Sequence, residues 1–161
     1  MRKIDSLLSQ YAESHQTKFN KAVHYFCVPA IFFSLIGLIS MIPTGGFLSN
    51  SVPSYLSPFM HFGTLFILIG SLYYLRLSLP LFFGMLIFSI LVLVGIYQIQ
   101  IANIAPFWTI MVGIFVIAWI IQLVGHKHEG KKPSFIEDLQ FLMVGPAWTI
   151  SHIFDGLRIK Y

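Results

Sequence analysis

Long apolar stretches separated by short polar segments dominate the chain. No Asp, Glu, Lys or Arg occurs between Lys21 and Arg76, or between Arg76 and Lys127. Each gap is long enough for two membrane-spanning helices of roughly 20 residues. A turn-forming stretch at residues 43–58, rich in Gly, Pro, Ser and Asn, divides the first gap, and Pro106 at a helix start divides the second. The pattern therefore predicts four spans, at about residues 23–42, 59–75, 80–98 and 106–125.

The tail that follows the fourth span mixes charges with short apolar clusters, which is typical of an interfacial or re-entrant segment. Ser134 with Glu137 three residues later forms a capping-box pattern, so a helix is predicted to start there and to bend or end near residues 145–146. A second short helix is expected to carry His152 and to end around Gly156. The predicted fold class is an all-α membrane bundle with interfacial C-terminal helices.

Composition places this bundle in a lipid environment. Hydrophobic residues make up 57% of the 161 residues and charged residues 10%, against about 25% charged residues in soluble domains. The length fits one membrane-embedded domain over residues 1–161. The polar first 20 residues do not resemble a cleaved signal peptide, so none is expected. A single cysteine, Cys27, excludes an internal disulfide framework and a zinc cluster of cysteines.

The positive charges predict the orientation. All ten Lys and Arg residues fall on one side of a four-span bundle, which the positive-inside rule assigns to the cytoplasm together with both termini. The expected location is the inner membrane of a bacterium or the endoplasmic reticulum of a eukaryote. Because the cations are dispersed and lack interleaved stacking aromatics, nucleic acid is not an expected partner, whereas membrane lipid is. The residues are Arg2, Lys3, Lys18, Lys21, Arg76, Lys127, Lys131, Lys132, Arg158 and Lys160.

Five of the six histidines fall on this same side, namely His15, His24, His126, His128 and His152. His61 lies at the opposite end, where an interfacial or packing role is expected. Neutral imidazole is the commonest protein ligand for transition metals, so convergence of three or more rings would make a metal site. The alternative is that each ring is a wetted polar residue at the membrane interface.

Helical geometry limits which of these side chains can cooperate. At about 100° per residue, His15 and His24 point in opposite directions, so the chain must turn between them if both bind one ion. Thr17 is well placed as the N-cap of a new helix after that turn, with Asn20 and His24 on one face of it. His126 and His128 cannot share a helical face, although a loop after Gly125 could bring them together.

Three further polar residues lie near the histidines. Asn20 and Gln122 are close to the membrane and need hydrogen-bond partners, and orienting imidazoles would satisfy them. Glu129 is either an acceptor that fixes the tautomer of a ligand or an ion-pair partner for Lys131 or Lys132. No Gly-rich phosphate loop, GxSxG or HExxH motif is present, and six scattered histidines do not supply the boxes of the membrane desaturases.

Two segments carry a family resemblance. YAESHQTKFNKAVHYFCVPAI (residues 11–31) has His, Asn five residues later, His four after that, and then proline; QLVGHKHEGKKPSFIEDLQFLMVGPAW (residues 122–148) has Gln, Gly-His, Glu and Gly-Pro. Both are similar to the 2-hydroxy fatty acid dioxygenase family of fungi and its bacterial and plant relatives. His128 departs from the pattern, because the relatives have an apolar residue there.

The resemblance implies an iron(II)-dependent dioxygenase that uses O₂ to shorten a 2-hydroxy fatty acid by one carbon, as in α-oxidation and sphingoid-base breakdown. It implies His15, His24, His126 and, by a weaker match, His152 as metal ligands. Catalytic support would come from Asn20, Gln122 and Glu129. The competing hypothesis is a non-enzymatic membrane module that binds a metal or haem. A transporter is disfavoured, since the spans carry no ionisable group near mid-bilayer and no inverted repeat.

Overall fold

The computed structural model describes residues 2–50, 52–130 and 143–161. These residues form α-helices and one 3-10 helix (Ser57–Phe59), and they contain no strand, so the all-helical prediction is confirmed. The helix predicted to start at Ser134 lies outside the described residues. The α-helices are α1 (Lys3–Glu13), α2 (Lys18–Ser40), α3 (Phe62–Leu77), α4 (Leu79–Ala102), α5 (Phe107–Glu129) and α6 (Val144–Gly156).

Three of these helices are long and apolar enough to cross a membrane, as expected of a membrane protein. α2, α4 and α5 contain 23, 24 and 23 residues, which is about 35 Å at ~1.5 Å per residue. The predicted second span is present as α3, an apolar helix of 16 residues. Its length of about 24 Å is less than the ~30 Å hydrocarbon core, so snorkelling side chains or local thinning of the bilayer would have to accommodate it.

Large aliphatic side chains cover the outer surface of the long helices. Exposed apolar area of this extent would be unfavourable in water, whereas in a bilayer it contacts lipid tails. The surface is therefore that of a membrane-embedded bundle. Examples that are more than half exposed are Leu68, Ile69, Ile87, Leu91, Ile117 and Ile120.

α2 and α5 pack against each other in antiparallel directions. At one end, Gly37 of α2 lies against Met111 of α5. At the other end, His24 of α2 meets His126 of α5. α3 and α4 form a hairpin through Ser78, whose hydroxyl caps α4, and they pack on α2. The central core consists of Phe32, Ile36, Ile67, Val92 and Ile96.

α1 and α6 pack together at the end of the bundle where α2 begins and α5 ends. A second core cluster joins these two helices to the start of α4. This packing encloses the start of α2 and the end of α5, where the candidate site lies. The buried members of the cluster are Ile4, Leu8, Tyr11, Leu81, Val144 and Trp148.

The turn predicted between His15 and His24 is confirmed. α1 ends at Glu13 and α2 begins at Lys18, so His15 lies in the connection. Thr17 is the N-cap of α2, because its hydroxyl accepts a hydrogen bond from the backbone N–H of Asn20 at 3.2 Å. That bond satisfies one of the helix's unpaired N-terminal donors.

α5 extends one turn beyond its predicted end. It continues through Gly125 to Glu129, so His126 and His128 lie on different faces of one helix and no loop brings them together. The short helix predicted to carry His152 and to end near Gly156 is present as α6.

Candidate metal centre

Three histidines from three parts of the chain converge at this end of the bundle. His15 comes from the α1–α2 turn, His24 from the second turn of α2 and His126 from the last turn of α5. Their side chains are 2%, 0% and 2% exposed, and their candidate ligand nitrogens all lie within 4.8 Å of one another. Because burial removes the water that an isolated imidazole would bind, the cluster is not a set of wetted surface residues.

Backbone carbonyl groups orient two of the three rings. The Nδ1 of His15 donates a hydrogen bond to the carbonyl of Tyr11 at 2.5 Å, and the Nδ1 of His24 donates to that of Asn20 at 2.9 Å. A neutral imidazole that donates through Nδ1 has a lone pair on Nε2. Both rings therefore have the tautomer that metal-binding histidines adopt when a carbonyl holds the other nitrogen.

The donor set fits a first-row transition metal ion. The Nε2 atoms of His24 and His126 are 3.2 Å apart. Two imidazole nitrogens bound at ~2.0–2.1 Å to one ion lie at most about 4.2 Å apart, so this pair fits directly and the wider separations need shifts below ~1 Å. Iron, zinc, copper and nickel all accept imidazole ligands. The three histidines could thus hold a metal ion.

A carboxylate fixes the turn that carries His15. Glu129, at the end of α5, accepts hydrogen bonds from the backbone N–H groups of Gln16 at 2.6 Å and Thr17 at 3.0 Å. It also accepts a hydrogen bond from the hydroxyl group of Thr17 at 2.7 Å. The negative charge lies beside the N-terminus of α2, where the helix dipole favours an anion. Glu129 therefore bonds to the α1–α2 turn.

Asn20 holds the other side of the same turn. Its Nδ2 donates a hydrogen bond to the carbonyl of Ser14 at 3.1 Å, while its backbone carbonyl accepts one from the Nδ1 of His24. The residues before and after His15 are thus tied to α2 and α5. The predicted orienting role of Asn20 is performed by its main chain, and its side chain positions the turn.

Gln122 lies one helical turn before His126 and is 6% exposed. Its Oε1 makes no hydrogen bond within the part of the chain that the structure describes. Its predicted supporting role stays a prediction.

The remaining histidines lie away from the cluster. His152 on α6 is in contact with Trp148, at 4.2 Å between ring centroids, and the three-histidine cluster does not include it. The predicted fourth ligand is therefore not brought to the other three. His128 is exposed beside Phe19, at 4.8 Å. His61 is the N-cap of α3 and accepts from the N–H of Thr64, a packing role at the opposite end of the bundle.

Two aromatic residues of the site were not anticipated from the sequence. Tyr11 stacks on His15 with ring centroids 4.3 Å apart and an interplanar angle of 12°. Trp148, 1% exposed, packs against the same imidazole at 5.5 Å. Tyr11 precedes His15 by four residues, and this spacing is the sequence signal for the hydrogen bond between the Tyr11 carbonyl and His15. Trp148 is 133 positions after His15, so no local spacing indicates that the two side chains are in contact.

Replacement of Glu129 by glutamine is expected to weaken both the fold and the metal centre. The amide has one acceptor oxygen and no charge, so it cannot receive all three hydrogen bonds. We expect the free energy of unfolding to fall by about 1–2 kcal/mol. Hydrogen bonds to a charged group contribute ~1.5–3 kcal/mol, and the effect here should be near the low end of that range because Glu129 is partly exposed. We expect metal affinity to fall about tenfold, as for other residues that orient ligands.

Thermal unfolding and metal titration of the purified protein measure these two effects. Lys127→Gln, two residues away and exposed, is the matched control and is expected to change neither. Equal metal affinity in Glu129→Gln and the parent protein would show that the turn keeps its position without the carboxylate.

Comparison with known proteins agrees with this geometry. A family model described as 2-hydroxy-palmitic acid dioxygenase Mpo1-like matches residues 1–156 of the 161. No curated protein and no solved structure matches the chain. The match covers both histidine-bearing ends and the six α-helices of the described residues. The chain therefore belongs to the Mpo1-like family, whose model carries that description.

Proposed function

We propose that this protein is an iron(II)-dependent dioxygenase that shortens 2-hydroxy fatty acids by one carbon. The observation that carries the proposal is the buried cluster of His15, His24 and His126 in a member of this family. The balanced reaction converts R–CH(OH)–COOH and O₂ into R–COOH, CO₂ and water. The substrate class follows from the family description, and the apolar bundle is the environment in which such a lipid is found.

His15, His24 and His126 would hold the iron, with Glu129, Asn20 and Gln122 as supporting residues. Bound iron would supply the redox chemistry by which O₂ reacts with the hydroxy acid. The carbonyl groups of Tyr11 and Asn20 keep the Nδ1 protons of two ligands in place. Trp148 and Tyr11 cover His15 and exclude water from it.

The orientation of the bundle supports a site at the cytoplasmic face. The cluster lies at the end of the bundle where α2 begins and α5 ends, and Lys18, Lys21 and Lys127 flank those ends. By the positive-inside rule this end faces the cytoplasm. The same cations would attract a fatty-acid carboxylate to the interface.

Metal analysis and a single-turnover experiment test the function. Purified protein is expected to hold about one iron per chain and, after anaerobic addition of 2-hydroxypalmitate and then O₂, to release the acid one carbon shorter. Removal of the metal with a chelator is expected to stop product formation, and Fe(II) should restore it. Metal binding without any product would instead support the non-enzymatic metal carrier, and a haem spectrum would support the haem-binding module.

A further inference from the structure

A cavity lies near the candidate metal centre, among residues that pack against Trp148. Its volume is about 380 Å³, and it is lined by Tyr25 of α2 and by Thr149, His152 and Ile153 of α6. This volume is within the ~300–1,000 Å³ range of small-molecule pockets. The metal-ligand candidates do not line the cavity, so it is distinct from the histidine cluster.

Trp148 is in contact with both the candidate metal centre and the lining of the cavity. Its ring is 5.5 Å from that of His15. It is also 4.2 Å from the ring of His152 and 5.4 Å from that of Tyr25, both of which line the cavity. One aromatic side chain therefore connects a buried metal-ligand candidate to two residues of an accessible pocket.

The lining combines lipid-facing surface with polar groups. Phe26 is 80% exposed and Ile153 52% exposed next to the cavity residues, as expected where the pocket opens to lipid tails. Its polar residues are Tyr25, Thr149 and His152. The hydroxyl of Thr149 donates to the carbonyl of Gly145 at 3.2 Å, and the Nδ1 of His152 donates to that of Trp148 at 2.9 Å. Such polar groups in a bilayer are costly unless they have a function or a partner.

An additional hydrogen-bond acceptor lies on α2, the helix that carries Tyr25. Pro29 is inside α2 and has no N–H to donate, so the carbonyl oxygen of Tyr25 lacks its usual partner four residues on. The backbone beside the cavity can therefore accept a hydrogen bond from a hydroxyl group.

We propose that this cavity is the subsite that takes the polar head of the 2-hydroxy fatty acid from the bilayer, with its acyl chain left among the lipid tails. The hydroxyl of Tyr25 donates a hydrogen bond to the carboxylate, and the Nε2 of His152, which carries the lone pair while Nδ1 donates to Trp148, accepts one from the 2-hydroxyl group. Trp148 is the side chain that the head passes to reach the metal. His152 is thus a substrate-binding residue and not a metal ligand. This inference rests on the proposed function for the identity of the lipid.

Binding of radiolabelled 2-hydroxypalmitate to metal-free protein in lipid nanodiscs tests the subsite without turnover. Ile153→Trp fills the cavity and is expected to weaken binding about tenfold, or ~1.4 kcal/mol. The matched control is Ile120→Trp, because Ile120 is 56% exposed on α5, away from the cavity. We expect that variant to bind like the parent.

His152→Gln tests the same subsite independently of Ile153→Trp. We expect it to weaken lipid binding several-fold, to raise KM more than it lowers kcat, and to leave the metal content unchanged. Loss of metal in this variant would overturn the proposal, since His152 would then be a ligand. Parent-like lipid binding and KM in both Ile153→Trp and His152→Gln would also overturn it. Absence of the shortened acid from the parent protein would refute the proposed dioxygenase function instead, whatever the variants bind.

Discussion

Alanine at position 126 is expected to remove the metal and the activity together. His126 is the only member of the cluster that α5 contributes, and its Nε2 lies 3.2 Å from that of His24. Without it, two nitrogens from α2 and the preceding turn remain, and α5 supplies no donor. Since loss of a group that merely orients a ligand costs 10–100-fold in affinity, loss of the ligand itself should cost more than about 100-fold.

The measurement is the iron content of purified His126→Ala protein, followed by the single-turnover assay. His128→Ala is the matched control, because it removes an imidazole from the same helical turn at an exposed position. We expect the control to retain iron and product formation. If His126→Ala kept stoichiometric iron, or if His128→Ala lost it, the assignment of the three ligands would be wrong.

Alanine at position 125 is expected to separate α2 from α5 at the metal centre. A Cβ at Gly125 would lie 2.5 Å from Oδ1 of Asn20 and 3.2 Å from a methyl group of Val23. The amide of Asn20 cannot simply rotate away, because its Nδ2 is bonded to the carbonyl of Ser14. Overpacking of this kind typically costs about 1–3 kcal/mol.

The metal affinity of Gly125→Ala should fall as well, by about tenfold or more, because His126 is the next residue and His24 is one turn from Asn20. Thermal unfolding and metal titration measure the two losses. Gly113→Ala, on the same helix, is the control: no atom lies within 4 Å of its added Cβ. Its expected effect is neutral or slightly stabilising, since alanine is the better helix former by ~1 kcal/mol. Similar results for the two variants would contradict the close approach at Gly125.

Local rules were sufficient for much of the site. The angle of 100° per residue requires a turn between His15 and His24 if both bind one ion, and the side-chain preferences of helix starts place the cap at Thr17. Both features depend on residues less than ten positions apart, so the sequence determines them without knowledge of the fold. Spacing alone left open a loop after Gly125 that would bring His128 to His126, and the continuation of α5 to Glu129 excludes it.

Contacts between distant segments could not be predicted in the same way. Glu129 had two neighbouring lysines as candidate partners, which lie outside the described residues, whereas its bonds to the backbone of a turn 112 and 113 residues away had no sequence signal. Trp148 occupies the space beside His15 into which His152 would have to reach. The start of α3 was also predicted too early, for a local reason: the 3-10 helix and the N-cap His61 place it at Phe62, whereas hydropathy alone extends it to residue 59.

The convergence of the cluster from both ends of the chain sets when the site can be completed during synthesis. His126 is made 102 residues after His24, which is roughly 5–20 s at ~5–20 residues per second. During that interval α2 has left the ribosome, but its imidazole has no partner from α5. A metal ion held by all three histidines can therefore bind only after α5 has been inserted beside α2, so insertion of this last long helix of the described residues completes the candidate site.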